Sequence, residues 1–400
     1  MSSALSGIRV LDLTNVLAGP LCAYQLALLG AEVVKIEVPD GGDLARQLGA
    51  DPALNARHMG ASFLAQNAGK KSVTLNLKSA AGKAVLHRLV ASADVLVENF
   101  RPGVMARLGV SYDELKQTNP KLVYCAISGF GQEGPMRGAP AYDQIIQGLS
   151  GIMSITGTPE AAPLRVGYPV ADTLAGMMAA FAISSALVRR NATGEGGCID
   201  VSMLDSALTA MGWVVSNYLI AGVHPQAHGN DNITAAPSGA FRTRDGLINI
   251  AANKQEQFIA LVAMLGREDL GLDERFAQRE NRKRNRAALT VELESELAKN
   301  DSAHWEAALN RIGVPAGAVL TVPQALALPQ MQQREFLKTF DTVEGLDGPL
   351  TVSRTGFKLS GGNPDVHTPP PLLGQHTDEL LRSVGYSAQE IADFRAEGIV

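Results

Sequence analysis

A chain of 400 residues is too long for one small core and suggests two or three domains. Its 46% hydrophobic and 19% charged residues are those of a globular protein rather than a disordered one. Thirty-five bases against 40 acids leave a formal net charge of −5, with no basic run long enough to follow a phosphate backbone, so nucleic acid is excluded as an expected partner.

The N-terminus runs straight into a strand-like stretch, GIRVLDLT, without the basic and apolar regions of a secretion signal. The helix PLCAYQLALLG follows, ending on Gly30, and then the strand AEVVKIEV. After a polar stretch come the strand SVTLNL, the helix SAAGKAVLHRLVASA, the strand DVLVENF, the short helices PGVMARLG and SYDELKQTN, and the strand KLVYCAI. Short β-branched runs alternating with helical ones predict an α/β large domain built on an open, doubly wound, mostly parallel sheet of the Rossmann-like kind. Its first strand-to-helix turn, TNVLAGPL, lacks the GxGxxG glycines that bring a helix N-terminus against a pyrophosphate, so neither a nicotinamide nor a flavin is expected.

Two apolar segments follow, Val170 to Val188 and Leu204 to Val223, each long enough to raise the question of a membrane span. Asp172, Asp205, Ser184, Ser185 and Ser216 inside them favour buried helices of a large core, and no membrane is expected. The glycines of RRNATGEGGCIDVSM mark a tight connection between the two. Near His224 a smaller α+β domain begins, with HPQAHGNDNITAAPSG as linker, GAFRTRDGLINIAAN as a hairpin turning at Asp245-Gly246, and charged helices through Arg311. From about Val322 the chain grows rich in Pro and Gly, and it ends in the amphipathic TDELLRSVGYSAQEIADFRAEGIV. The expected division is 1–200 for the large domain, 201–224 for a connecting helix and linker, 225–322 for the small domain, and 323–400 for a return to the large one.

Cys22, Cys125 and Cys198 are odd in number and lack metal-ligand spacing, which argues against disulfides and zinc and for a reducing, cytoplasmic setting. The seven histidines, His58, His87, His224, His228, His304, His367 and His376, show no metal spacing either, and no metal is expected. Asp172, in GYPVADTLAGMMAA, is the unusual charge. It follows Pro169 and precedes a strong helix-forming run, so an N-cap accounts for it. The same position also lets the positive end of a helix dipole hold a carboxylate ionised at the edge of a cleft. The two roles are compatible.

The segments GIRVLDLTNVLAGPLCAYQLALLGAEVVKIE, NAGKKSVTLNLK, VENFRPGVMARLG, AISGFGQEGP, AYDQIIQGLSG, PVADTLAG, TGEGGCIDVSMLD, GAFRTRDG and PLLGQHTDELL closely resemble the class III CoA-transferase family, which includes formyl-CoA transferase and carnitine CoA-transferases. The resemblance runs from about Gly7 to the C-terminus. It implies a two-domain subunit interlocked with a second copy as a homodimer, with coenzyme A and acyl-CoA as substrates and a carboxylic acid as CoA acceptor. It also implies that 1–200 is the CoA-binding domain and that Asp172 is the active-site aspartate. A carboxylate that attacks a thioester expels CoA thiolate and forms a mixed anhydride, reactive enough for the thiolate to attack in turn, whereas a serine ester is too stable for reversible exchange. An apolar, water-poor setting protects such an anhydride from hydrolysis.

The resemblance further assigns CoA contacts to Val16 and Ala18 in TNVLAGP, Lys70 and Lys71 in NAGKKS, Asn99 and Phe100 in VENF, and Arg107 in MARLG. Taken singly, Val16 fits a core and the lysines a solvated face. As a set following successive strands at one sheet edge, they fit a ligand crevice. Leu17 stands where formyl-CoA transferase has a glutamine, Val38 replaces a common arginine, and Pro140 a lysine, which leaves Arg137 as a candidate substitute. GNDNITAAPSGAF occupies the region of that enzyme's glycine-rich lid, with Gly229, Ser238 and Gly239 as candidates for a related part. Arg165 and Arg242, each as readily a surface ion pair, are candidates for binding a distal carboxylate, which would suit a dicarboxylic acid as partner.

Two competing activities are distinguishable. The racemase of 2-methylacyl-CoA thioesters, of the same superfamily, pairs its aspartate with a histidine in a segment resembling AYDQIIQGLSG, where this chain has Tyr142. A phenol, with an ordinary pKa of ~10, is a poor base near neutrality. Formyl-CoA transferase carries Tyr followed by an acid there, matching Tyr142 and Asp143, which join Asp172 as candidate catalytic residues. Their structural alternative is a core aromatic with a satisfied hydroxyl and a neighbouring cap or ion pair. A CoA-binding protein without turnover is the other competitor, in which Asp172 only caps its helix. His376, in PLLGQHTDE, is expected to be structural.

Overall fold

The computed structural model describes residues 3–400, which divide into two units. The first comprises the chain up to Ile152, Arg165–Val223 and Gln330–Val400; the second comprises Met153–Leu164 and His224–Pro329. Residues 153–164, expected in the large domain, therefore cluster with the smaller unit, and residues up to Val223 stay with the larger one.

Six strands form the sheet of the first unit: β1 (Arg9–Asp12), β2 (Glu32–Glu37), β3 (Lys70–Thr74), β4 (Val95–Glu98), β5 (Val123–Ser128) and β6 (Gly197–Ser202). Their order is β3-β2-β1-β4-β5-β6 and every pairing is parallel. Alternate residues of each strand face opposite sides of a sheet. Val10 thus packs on one side with Ala23, Val95 and Ala175, and Leu11 on the other with Val85, Leu96 and Leu115. Helices Ala18–Leu28 and Val170–Thr193 cover the first side, and helices Ala80–Val90, Tyr112–Thr118, Thr377–Ser383 and Ala388–Ala396 the second. Burial on both faces is why these strands read as nearly continuous apolar runs. The strand order reverses between β1 and β4, which opens a crevice beyond their carboxyl ends.

The long helix Val170–Thr193 buries Ala171, Ala175, Ala179, Ile183 and Leu187 at four-residue spacing, with Gly176 beside them. At Gly176 it comes so close to helix Ala18–Leu28 that a Cβ there would lie 2.5 Å from the Ala18 carbonyl oxygen. Among the described residues it is the one helix long and apolar enough to cross a membrane. The expected tight connection after it contains strand β6. Gly196 is needed there because a Cβ would come within 2.3 Å of the Leu122 carbonyl oxygen, at the start of β5. The second apolar segment departs further from expectation: it breaks at Met211 into helices Met203–Ala210 and Gly212–Ala221, and the latter buries none of its residues. Trp213 is 82% and Ile220 86% exposed, so this helix is not part of the core of the chain.

The second unit holds β7 (Ser238–Arg242), β8 (Leu247–Ala251) and β9 (Ala316–Ala318) in an antiparallel sheet of order β7-β8-β9. The Thr243 N–H bonds the Gly246 carbonyl, which places the hairpin turn at Asp245-Gly246. Helices Gln255–Met264, Arg286–Leu297 and Ser302–Arg311 pack Phe258, Leu293 and Trp305 against Phe241, Ile248 and Ile250. From Gln330 the chain rejoins the first unit, where β10 (Leu337–Phe340) and β11 (Leu350–Ser353) form an antiparallel ribbon.

Candidate active site

The turn leaving β1 is tied down residue by residue. The Asn99 side chain, just past β4, accepts the Asn15 N–H and donates to the Asn15 carbonyl, both at 2.8 Å. Val16 sits at φ +68°, a left-handed conformation that costs a β-branched residue about 1–3 kcal/mol. Its N–H is held by Asp43 Oδ1 at 2.9 Å. Val16, Leu17 and Ala18 then form one side of a cleft of about 300 Å³, lined also by Asn99, Phe100, Arg101, Arg137, Tyr142 and Asp172. Five expected contacts, Val16, Ala18, Asn99, Phe100 and Arg137, are thus brought together with two of the three expected catalytic residues.

Asp172 is the third residue of its helix, not the cap. The cap position is Pro169, which offers no side-chain acceptor, and the expected N-cap role is overturned. Asp143 supplies the missing acceptor from another helix: its Oδ1 takes the Ala171 N–H at 2.8 Å while its Oδ2 takes the Gln147 side-chain amide at 2.7 Å. Asp143 is buried and so occupied. The Asp172 carboxylate accepts no hydrogen bond among the described residues. Burial pushes its pKa up to about 7, and the Asp143 charge pushes in the same direction. A carboxylate of this kind is unusually basic and, among the described residues, unshielded by donors, which suits a nucleophile. Tyr142 is 70% exposed at the cleft rather than a core aromatic, so its structural alternative fails. Arg165 Nη2 lies 3.9 Å from Asp143 Oδ2, beside the carboxylate pair.

Lys70 and Lys71, expected against CoA, line neither the cleft nor its neighbour. Both begin β3, whereas the crevice lies where strands end. The Lys70 ammonium is buried, bound to Asp12 Oδ2 at 2.8 Å and the Pro20 carbonyl at 3.0 Å, so it is neither on a solvated face nor in the cleft. Lys71 pairs with Glu32 at 3.2 Å and Glu379 at 2.8 Å. The cation past the carboxyl end of β3 is Lys78. It lines a second, largely apolar depression of about 260 Å³ with Ile36, Val38, Leu75, Leu108 and, shared with the first cleft, Asn15 and Phe100. Lys78 and Arg101 were missed in the sequence, although NLK and NFR each place a cation just past a strand. Arg107 is exposed on helix Val104–Leu108, one turn from Val104, which lines the second depression. Gly229, Ser238, Gly239 and Arg242 belong to the second unit, where Ser238 is buried on β7 and the Arg242 N–H bonds Glu294. His376 Nδ1 meets the Ser72 N–H at 3.2 Å, a structural contact. Among the described residues, no group of three or more His, Cys, Asp or Glu is placed to hold a metal.

The chain is similar to known CoA-transferases along most of its length. The chain is 36% identical over 385 residues to the succinate–glutarate CoA-transferase of Agrobacterium fabrum, covering 94% of each. It is 41% identical over 348 residues to the acetyl-CoA:oxalate CoA-transferase of Acetobacter aceti, covering 87% of this chain and 88% of that one. A crystal structure of a CaiB/BaiF family protein from Brucella suis superposes with a TM-score of 0.84 at 35% identity, over 96% of this chain and 100% of the other. The family described as CoA-transferase family III matches residues 5–377: the chain belongs to that family and transfers CoA from an acyl-CoA thioester to a carboxylic acid.

Proposed function

We propose that transfer runs through covalent intermediates on Asp172. An Asp172 oxygen attacks the acyl carbonyl of the donor, the C–S bond breaks, and CoA thiolate leaves an aspartyl mixed anhydride. The thiolate attacks Asp172 Cγ, the donor acid departs as carboxylate, and an aspartyl-CoA thioester remains. The acceptor carboxylate then attacks Cγ and releases the thiolate, which attacks the acceptor's acyl carbon and frees Asp172. Each step exchanges one leaving group for one nucleophile, with no net proton or electron. The observation that carries this reading is the Asp172 carboxylate itself, lining the cleft with no hydrogen bond to it among the described residues and with its pKa raised to about 7.

CoA is assigned to the two neighbouring depressions. Adenine suits the apolar one, lined by Ile36, Val38, Leu75 and Leu108, and the phosphates suit Lys78 of the same depression, Arg101 and Arg137 of the neighbouring cleft, and Arg107 on helix Val104–Leu108. The relatives named for oxalate, succinate and glutarate support a dicarboxylic acid as acyl partner, with Arg165 placed beside Asp143 to receive a second carboxylate. The exposed apolar helix Gly212–Ala221 supports a homodimer that covers it. Free thiols at Cys22, Cys125 and Cys198 fit a reducing cytoplasm.

Asp172→Asn, nearly the same size but without a nucleophilic oxygen, should lose CoA transfer by about 10³-fold or more while CoA binding persists in isothermal titration. Substantial transfer by this variant would contradict the assignment. A 2-methylacyl-CoA incubated with the enzyme in heavy water should keep its α-proton; rapid deuterium uptake would favour the racemase chemistry instead.

A further inference from the structure

The turn that forms the Val16 side of the cleft is held from behind by a carboxylate that no step of the transfer uses. Asp43 is 2% exposed. Its Oδ1 accepts the N–H groups of Val16 at 2.9 Å and Ala45 at 2.8 Å, and its Oδ2 lies 2.8 Å from the fully buried Lys35 ammonium. The same ammonium donates to the Thr14 carbonyl at 2.8 Å, so Lys35 and Asp43 grip the chain two residues apart. Between them, Asn15 is clamped by Asn99 and its own side-chain oxygen accepts the Leu44 N–H at 2.8 Å. The product of this bracing is Val16 at φ +68°, which a β-branched residue resists. Released, Val16 would relax to negative φ and carry Leu17 and Ala18 with it, and all three line the cleft with Asp172.

We propose that Asp43 is a positioning residue for CoA transfer: its carboxylate, paired with Lys35, holds Val16 in the left-handed turn that sets the wall of the acyl-CoA cleft. The role rests on the assignment of this cleft to acyl-CoA and is independent of which group is the nucleophile.

Asp43→Ala removes the acceptor and should lower kcat/KM for transfer by about 100-fold, the scale of an ångström-sized misplacement. Asp43→Asn, whose amide oxygen still accepts from Val16, should lose about tenfold. Adding Val16→Gly abolishes the penalty on positive φ and should recover about tenfold of the loss in the Ala background. A carboxylate needed only for fold stability would show no such rescue, because glycine at 16 returns no partner to Lys35. If thermal melting shows that Asp43→Ala does not fold, the Asn variant with and without Val16→Gly gives the same comparison, with recovery again expected. Transfer by folded Asp43→Ala within about threefold of wild type, or failure of Val16→Gly to raise transfer in either background, would overturn the proposal. Asp172→Asn assayed alongside separates the two claims, since full activity there would remove the nucleophile and leave the Val16 rescue unaffected.

Discussion

At the scale of the residue, the Asp143–Asp172 pair divides two tasks that one aspartate was expected to share. Asp143 satisfies the N-terminus of helix Val170–Thr193 through the Ala171 N–H, which leaves Asp172 without a structural duty. Asp172 titrates at about 7, above the ordinary 3.8, so kcat/KM should climb with pH and level off above a midpoint of about 7. Asp143→Asn removes the like charge, and the midpoint should move to lower pH while burial keeps it above the ordinary value; an unmoved profile would detach Asp143 from Asp172. The same shift bears on stability. A carboxyl whose folded pKa is raised binds its proton in the native state after the unfolded chain has released it, so it costs stability progressively from pH 4 to 7 and fully above 7. Asp172→Asn should therefore melt above the wild type at pH 8 and level with it below pH 4. The charge of Asp172 and its neighbourhood were legible in PVADTLAG; its freedom was not, because the true cap lies 28 residues upstream of the N–H it accepts. The lysines of NAGKKS failed for a similar reason: their charge is visible in the sequence, but which end of β3 they occupy is set by the parallel order of the sheet.

At the scale of the element, the short β-branched runs and the helical runs that alternate up to residue 128 emerged as five of the six parallel strands and their crossovers, since burial on both faces leaves a strong apolar signal. Strand β6 left a weak one: Cys198 and Asp200 are exposed at the sheet edge, and the glycines leading into it read as a turn although Gly196 is there to approach β5. Glycine has a second such role at Gly176, where helix Val170–Thr193 meets the Ala18 carbonyl. Alanine in a helix usually stabilises relative to glycine by about 1 kcal/mol. Here Gly176→Ala should instead destabilise by about 1–3 kcal/mol, the cost of overpacking against backbone, as read by denaturant unfolding. It should also lower transfer, because the pushed element, Ala18, lines the cleft. A stabilised Gly176→Ala would show that the two helices separate freely.

At the scale of the whole molecule, the apolar surface of Gly212–Ala221, with Trp213 and Ile220 almost fully exposed, read from sequence as a buried core helix because apolarity alone does not say which chain does the burying. The proposed homodimer should sediment as a species of twice 42.2 kDa that persists on dilution, as obligate dimers do. Trp213→Glu together with Ile220→Glu should shift it toward monomer or aggregate, while a stable monomer of the wild-type chain at micromolar concentration would contradict the assembly.

The proposed transfer passes through covalent intermediates on Asp172. The direct measurement is to incubate the enzyme with acyl-CoA, quench with hydroxylamine, and read the peptide containing residue 172 by mass spectrometry. An aspartyl anhydride or thioester captured by hydroxylamine leaves a hydroxamate on Asp172, present with acyl-CoA and absent without it. An unmodified Asp172 in an enzyme that turns over in the same sample would contradict the covalent mechanism.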